Sequence, residues 1–223
     1  MYEYELALML RGCKAIAGVD EVGRGPLAGP VVAGAVILNP ADEIAGIDDS
    51  KRLTAKRREI LAIEIKKRAI AWSTTAVSET EIDAINIYQA SRKAMMQAIA
   101  KLSVAPDHIL SDAMPLPDAG IPYTAIIHGD RLSASIGAAS IIAKVERDAL
   151  MDAMAIRFPG YGFRRNKGYP TPEHLDALTR LGITPIHRKT YHPVRVVYER
   201  QTSLDLGNGG HPDETDQSRH LRS

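Results

Sequence analysis

Apolar and polar positions alternate between two periods along the chain, and the switches between them mark out its elements. Residues 15–19 and 31–38 are short apolar runs rich in Val, Ile and Ala, read as buried strands. Only a Gly- and Pro-bearing stretch lies between them, so the pair predicts a strand, a turn and a second strand. A helix is expected from about Thr54 to Arg68, with Ile60, Leu61, Ile63 and Ile65 inward and a basic outer face. Around Trp72 an alternating run gives another strand. Ser78 and Glu81 have the spacing of a capping box opening a short helix. Asn86 is expected to cap a further helix to Leu102, with its methionines as core filler. Two short strands follow, 106–112 and 123–130, each ending in a carboxylate. A long helix is expected from about Ser135 to Arg157. Thr171, Pro172 and Glu173 read as N-cap, first-turn proline and first-turn acid of a helix closed by Gly182. The pattern over residues 2–12 fits a short helix or an extended lead-in equally. Strands alternating with helices after an opening hairpin predict an α/β fold with a mixed central sheet.

The chain has 223 residues and is 45% hydrophobic, enough for one domain with a full core. We assign residues 1–200 to that domain. Residues 201–223, rich in Gly, Asp, Ser and His, are expected to form a disordered tail. With 28 basic and 27 acidic residues the net charge is +1, so no global polyanion-binding signature exists. Positive charge is local, in runs around Lys51, Lys66, Arg164 and Arg188, and such runs are usually solvated faces. The single cysteine, Cys13, excludes a disulfide framework and a cysteine-based zinc site, and reads as a small buried filler. No secretory signal or membrane span is recognisable, so a soluble, cytoplasmic protein is expected.

The candidate chemistry starts at Asp20 and Glu21. Two adjacent acids at the end of a buried strand are costly unless something cationic meets them. Neighbouring strand residues point to opposite faces, so a shared site requires the strand to end or bend at Glu21. The glycines Gly23 and Gly25 would give that freedom. Taken alone, both acids could equally be solvated junction residues. The spacing Gly23, Gly25, Ala28 fits a dinucleotide fingerprint in letters only, because Pro26, Pro30 and a second strand stand where that motif needs a helix. Asp112 and Asp130 repeat the pattern of an acid closing a strand. In an α/β sheet such ends gather on one edge. Four carboxylates there would repel one another unless divalent cations lay between them. Oxygen-only ligands suit Mg²⁺ or Mn²⁺, and two such ions about 4 Å apart serve an in-line phosphoryl displacement.

Residues 18–29 (Gly18 to Gly29), the run Asp49-Ser-Lys-Arg-Leu-Thr54, residues 135–148 and Asn166-Lys-Gly-Tyr169 together resemble ribonuclease HII, the bacterial type 2 ribonuclease H. The similarity spans about Ala15 to Val194. It implies a ribonuclease H-like fold with a helical C-terminal segment. It also implies hydrolysis of the RNA strand of RNA–DNA hybrids and cutting 5′ to single ribonucleotides in duplex DNA, leaving 3′-OH and 5′-phosphate ends. By the resemblance, the catalytic acids are Asp20, Glu21, Asp112 and Asp130, the first three binding metal. Backbone of Gly23, Arg24 and Gly25 would touch the ribose 2′-OH, and Tyr169 would pack on the neighbouring sugar. Lys51, Lys144 and Arg147 would meet phosphates. His128, Ala113, Gly137 and Tyr191 depart from the family's usual residues. His128 replaces a lysine and, if it supports Asp130 or a phosphate, would make the rate fall with rising pH. A junction resolvase sharing the acids would have no use for that glycine turn or for Tyr169, and in a non-catalytic nucleic-acid binder four acids would repel phosphate unless metals occupied them. Gln201 to Leu206 loosely resembles the peptide by which proteins bind the bacterial sliding clamp. A monomer is expected.

Overall fold

The computed structural model describes residues 1–47 and 53–207. Its centre is a five-stranded mixed sheet built from β1 (Ile16–Val22), β2 (Val31–Ile37), β3 (Ala71–Val77), β4 (His108–Asp112) and β5 (Tyr123–Ile126). The spatial order is β3-β2-β1-β4-β5. β1, β2 and β3 run as an antiparallel meander, whereas β4 and β5 lie parallel to β1. The helices, in chain order, are α1 (Glu3–Leu10), α2 (Ala55–Arg68), α3 (Glu79–Ala100), the single turn α4 (Gly129–Leu132), α5 (Ala134–Arg157), the single turn α6 (Phe163–Asn166), α7 (Pro172–Leu181) and α8 (His192–Gly207).

One face of the sheet is covered by α5 and α2, packed through Val36, Leu61, Ile65, Ala138, Ala139 and Ile142. The other is covered by α3, through Val31, Ala90, Ala94, Met95 and Ala98. The approach of α5 to the sheet is close because two strand positions lack a side chain. A Cβ on Gly18 would stand 2.0 Å from the Ser135 carbonyl carbon, and one on Gly34 would stand 2.4 Å from the Ala139 oxygen.

The caps expected at Ser78 and Thr171 are in place, joined by Thr54 and Ser133; each accepts from the backbone N–H three residues on. Asn86 stands at φ 67, outside helical space, and its side chain accepts from Gln89 N, so it restarts α3 after a kink. Three expectations need correction. In α2 only Leu61, Ala62 and Ile65 are buried; Ile60 and Ile63 lie on the outer face, about a quarter-turn or more away from the inward stripe. Cys13 is only partly buried, at the margin of the cluster around Ile16 and Leu110. The third concerns Asp130, which does not end a strand: β5 stops at Ile126 and Asp130 sits buried in α4. The undecided N-terminal stretch is helical. Residues 201–207, expected in the tail, are the last turns of α8; residues 208–223 lie outside the described residues. Among the described residues no helix is long and apolar enough to cross a membrane.

Candidate active site

β1 does not end at Glu21. It stays paired with β2 through Val22, but its pairing with β4 stops at Val19. Beyond Val19 the strand therefore borders open space on its parallel side. Acids on opposite faces of one strand line the same opening, without the bend expected from alternation. That opening is a cleft of about 370 Å³ lined by Asp20, Glu21, the Gly23–Arg24–Gly25 turn, Asp112, Ser140, Lys144, Arg147 and Tyr169.

The electrostatics of the cleft are strained. Burial pushes the Asp20 carboxyl well above the usual range, and the negative charges of Glu21, Asp112 and Asp130 push it further; a hydrogen bond from Ser140 opposes them. Burial likewise carries Glu21 up to about 7, against the pull of Arg24. Arg24 Nη1 reaches Glu21 Oε1 at 3.2 Å, but Glu21 Oε2 is buried with no hydrogen-bond partner. Asp112 Oδ1 accepts from Gly129 N at 2.8 Å. As the side chains stand, no three Asp, Glu, His or Cys among the described residues are close enough to hold an ion. The donor set nevertheless fits a hard divalent cation: oxygen donors only, a surplus of negative charge, and one buried carboxylate oxygen awaiting a partner. Asp130 is buried beside this group and adds to its field, but it does not line the cleft.

The glycine turn is held from behind by two buried arginines. Arg188 donates through Nη2 to Gly23 O at 2.6 Å, through Nη1 to Arg24 O at 2.9 Å, and through Nε to Gly29 O at 3.0 Å. The Tyr191 hydroxyl accepts from Arg188 Nη1 and donates to Arg24 O at 2.6 Å. Arg147 donates to the carbonyls of Pro30, Lys167 and Ala28. This corrects its expected role. Arg147 is 1% exposed, and its Nε and both terminal nitrogens bind backbone, so it shapes the cleft wall rather than meeting phosphates. Burial, then the neighbouring Arg188, lowers its pKa to about 10, which leaves it charged at neutrality. Lys144, in the cleft wall, pairs with Asp148 at 2.7 Å. Tyr169 is 41% exposed at the cleft rim, 3.6 Å from where a Cβ on Gly25 would stand. Lys51 lies outside the described residues. His128 is exposed and stands at φ 58 ahead of α4. Arg188 was invisible in the sequence as a site residue, because a basic run says nothing about which of its members turns inward.

Compared with known proteins, the family model for ribonuclease HII matches residues 17–196, most of the chain and every residue of the cleft. The chain belongs to the ribonuclease HII family. Membership makes it an endonuclease of the type 2 ribonuclease H class. It is 54% identical over 191 residues to the ribonuclease HII of Moorella thermoacetica, covering 86% of this chain and 93% of that one. The ribonuclease H2 from Pyrococcus horikoshii OT3 has the same fold, with a TM-score of 0.73 at 27% identity over 84% of this chain and 98% of that one. A chain of the PCNA:RNase HII complex from Archaeoglobus fulgidus matches with a TM-score of 0.70 at 28% identity, over 80% and 95%. The motifs at residues 18–29, 135–148 and 166–169 thus contribute residues to the cleft, whereas most of the run 49–54 lies outside the described residues. Gln201, first residue of the loosely clamp-like peptide, is engaged within the fold: its Oε1 accepts from Ile183 N at 3.2 Å.

Proposed function

We propose that the chain is a metal-dependent endoribonuclease that hydrolyses the RNA strand of RNA–DNA hybrids and cuts 5′ to single ribonucleotides in duplex DNA. The observation that carries this reading is the joint lining of one cleft by Asp20, Glu21 and Asp112 on one side and the Gly23–Arg24–Gly25 turn on the other. Asp20, Glu21 and Asp112 would hold two Mg²⁺ or Mn²⁺ ions, with Asp130 behind them as ligand support or to orient water. When bound, the ions supply the Lewis acidity that activates water and steadies the departing 3′ oxygen. Water adds to phosphorus in line, the P–O3′ bond breaks, and the products carry a 3′-OH and a 5′-phosphate.

The rest of the cleft would select the phosphodiester. The 2′-OH is what separates RNA from DNA at one nucleotide. With the carbonyls of Gly23 and Arg24 drawn back by Arg188, the turn is free to offer its remaining backbone groups to that hydroxyl, and the glycines permit close approach. Tyr169 would pack on the adjacent sugar, and Lys144 would meet a phosphate by charge. The test is a duplex containing one ribonucleotide, incubated with Mn²⁺ or Mg²⁺ and separately with EDTA. A cut on its 5′ side that needs the metal is expected; binding without scission would reject the reading in favour of a non-catalytic binder. A sliding-clamp contact through residues 201–206 is a second reading, favoured by the complex that the Archaeoglobus fulgidus relative forms with PCNA. It requires Gln201 to leave Ile183, and equal capture by the clamp of the full chain and of a chain ending at Arg200 would dismiss it.

A further inference from the structure

Behind Tyr169, away from the carboxylates, two histidines are buried in a cage of Tyr161 and Phe163. His174 Nε2 and His187 Nε2 are 3.1 Å apart. Their protons are fixed by what stands at the two ends. His174 Nδ1 lies 2.9 Å from the Tyr169 carbonyl oxygen, which only accepts, so Nδ1 carries a hydrogen and Nε2 is an acceptor. His187 Nδ1 receives the Thr184 backbone N–H at 2.9 Å, so it is bare and Nε2 is the donor. The result is a one-way chain from Thr184 N–H through His187 and His174 to the carbonyl of Tyr169, with both rings neutral and every ring nitrogen used.

This chain joins two parts of the cleft. His187 pairs with Ala28 in an isolated bridge and precedes Arg188, the residue that draws back the glycine turn. His174 ends on Tyr169, whose turn carries one non-glycine residue, Lys167, at positive φ. We infer that the His187–His174 pair is a positioning device for substrate reading, holding the Tyr169 turn at a fixed offset from the Gly23–Arg24–Gly25 turn. The inference rests on the placing of Tyr169 against substrate proposed above.

Two near-isosteric variants separate this role from bulk stability. In His174→Asn the side-chain amide nitrogen replaces Nδ1 and keeps the donor to the Tyr169 carbonyl. In His174→Gln the side-chain amide oxygen takes the place of Nε2, keeping an acceptor for His187 Nε2–H and losing the donor to Tyr169. On the single-ribonucleotide duplex, His174→Gln is expected to lose roughly 10-fold in kcat/KM, mostly through KM, and His174→Asn less than about 3-fold. Denaturation midpoints of the two should lie close together. In a Tyr169→Ala background the Gln substitution should cost less than about 2-fold, because it acts through the missing ring. Equal losses for Asn and Gln, or a full loss from Gln in the Tyr169→Ala background, would overturn the inference while leaving the Tyr169 reading intact. A Tyr169→Ala variant as active as the parent would overturn both.

Discussion

At the scale of single residues, the cleft trades stability for chemistry. Asp20 is buried among three other acids, and among the described residues the cation paired with Glu21 is the exposed Arg24. Removing one of the charges should relieve the repulsion. Asp20→Asn is therefore expected to abolish cleavage and to raise stability by about 1–2 kcal/mol in EDTA at pH 8. Urea unfolding together with a cleavage assay checks this; an inactive variant that is also less stable would mean Asp20 is held by contacts that outweigh the repulsion. Tyr191 gives a smaller effect. Its hydroxyl adds one hydrogen bond to Arg24 O in a network where Arg188 already reaches Gly23, Arg24 and Gly29. Tyr191→Phe should cost about 1 kcal/mol of stability and less than about 5-fold in kcat/KM, since the turn stays anchored. Single residues also differ in how plainly the sequence shows their roles. The acids were legible because a carboxylate in an apolar strand contradicts its surroundings. Arg147 and Arg188 were not, because a buried arginine satisfied by backbone carbonyls leaves no mark in a basic run.

At the scale of elements, strand and helix identities followed from periodicity and caps, and the errors lie where a pattern has two solutions. In α2 four aliphatics crowd into six positions, and one helix face accommodates only Leu61 and Ile65 with Ala62 beside them. Ile60 and Ile63 had to turn outward. For β1 the alternation rule was right and the conclusion drawn from it was not, since it left out that β4 is the shorter neighbour. The contact that sets the site's depth, α5 against β1 and β2, depends on Gly18 and Gly34, each facing backbone rather than a movable side chain. Backbone cannot yield as a flexible side-chain tip does, so an added methyl there is overpacking of the costly kind. Gly34→Ala is expected to destabilise by about 2–4 kcal/mol. Gly25→Ala adds its methyl at a position where only Tyr169 Cε1 lies within 4 Å, so it should leave the unfolding midpoint nearly unchanged while reducing cleavage. Denaturant melts of the pair provide the comparison. Equal stability losses would show that the close approach of α5 is not what the two glycines differ in.

For the molecule as a whole, two buried groups of opposite character set how stability depends on pH. Burial lowers the pKa of His174, and burial followed by the proximity of His174 lowers His187 to about 3. Glu173 opposes the shift at His174, and the facing rings of Tyr161 and Phe163 carry no charge at these pH values. Unfolded, both histidines bind a proton near pH 6.5. Their contribution to stability is thus complete above that pH and is lost as pH falls toward 3. Glu21 works in the other direction. Its folded pKa, about 7, lies above its ordinary value, so the folded state gains on the unfolded as acid is added and loses as pH rises through 7. Between pH 7 and 5, in the absence of metal, the two effects oppose each other and the parent protein should show a shallow profile. Glu21→Gln removes its share of the carboxylate effect, to which the raised Asp20 also contributes. The variant's stability should fall more steeply than the parent's over that interval, by an extra amount on the order of 1–2 kcal/mol. Urea midpoints at pH 7, 6 and 5 in EDTA measure the difference. Parallel profiles would show that Glu21 gains no proton on folding, and hence that the buried, unpartnered oxygen at the head of the cleft is not held against its charge.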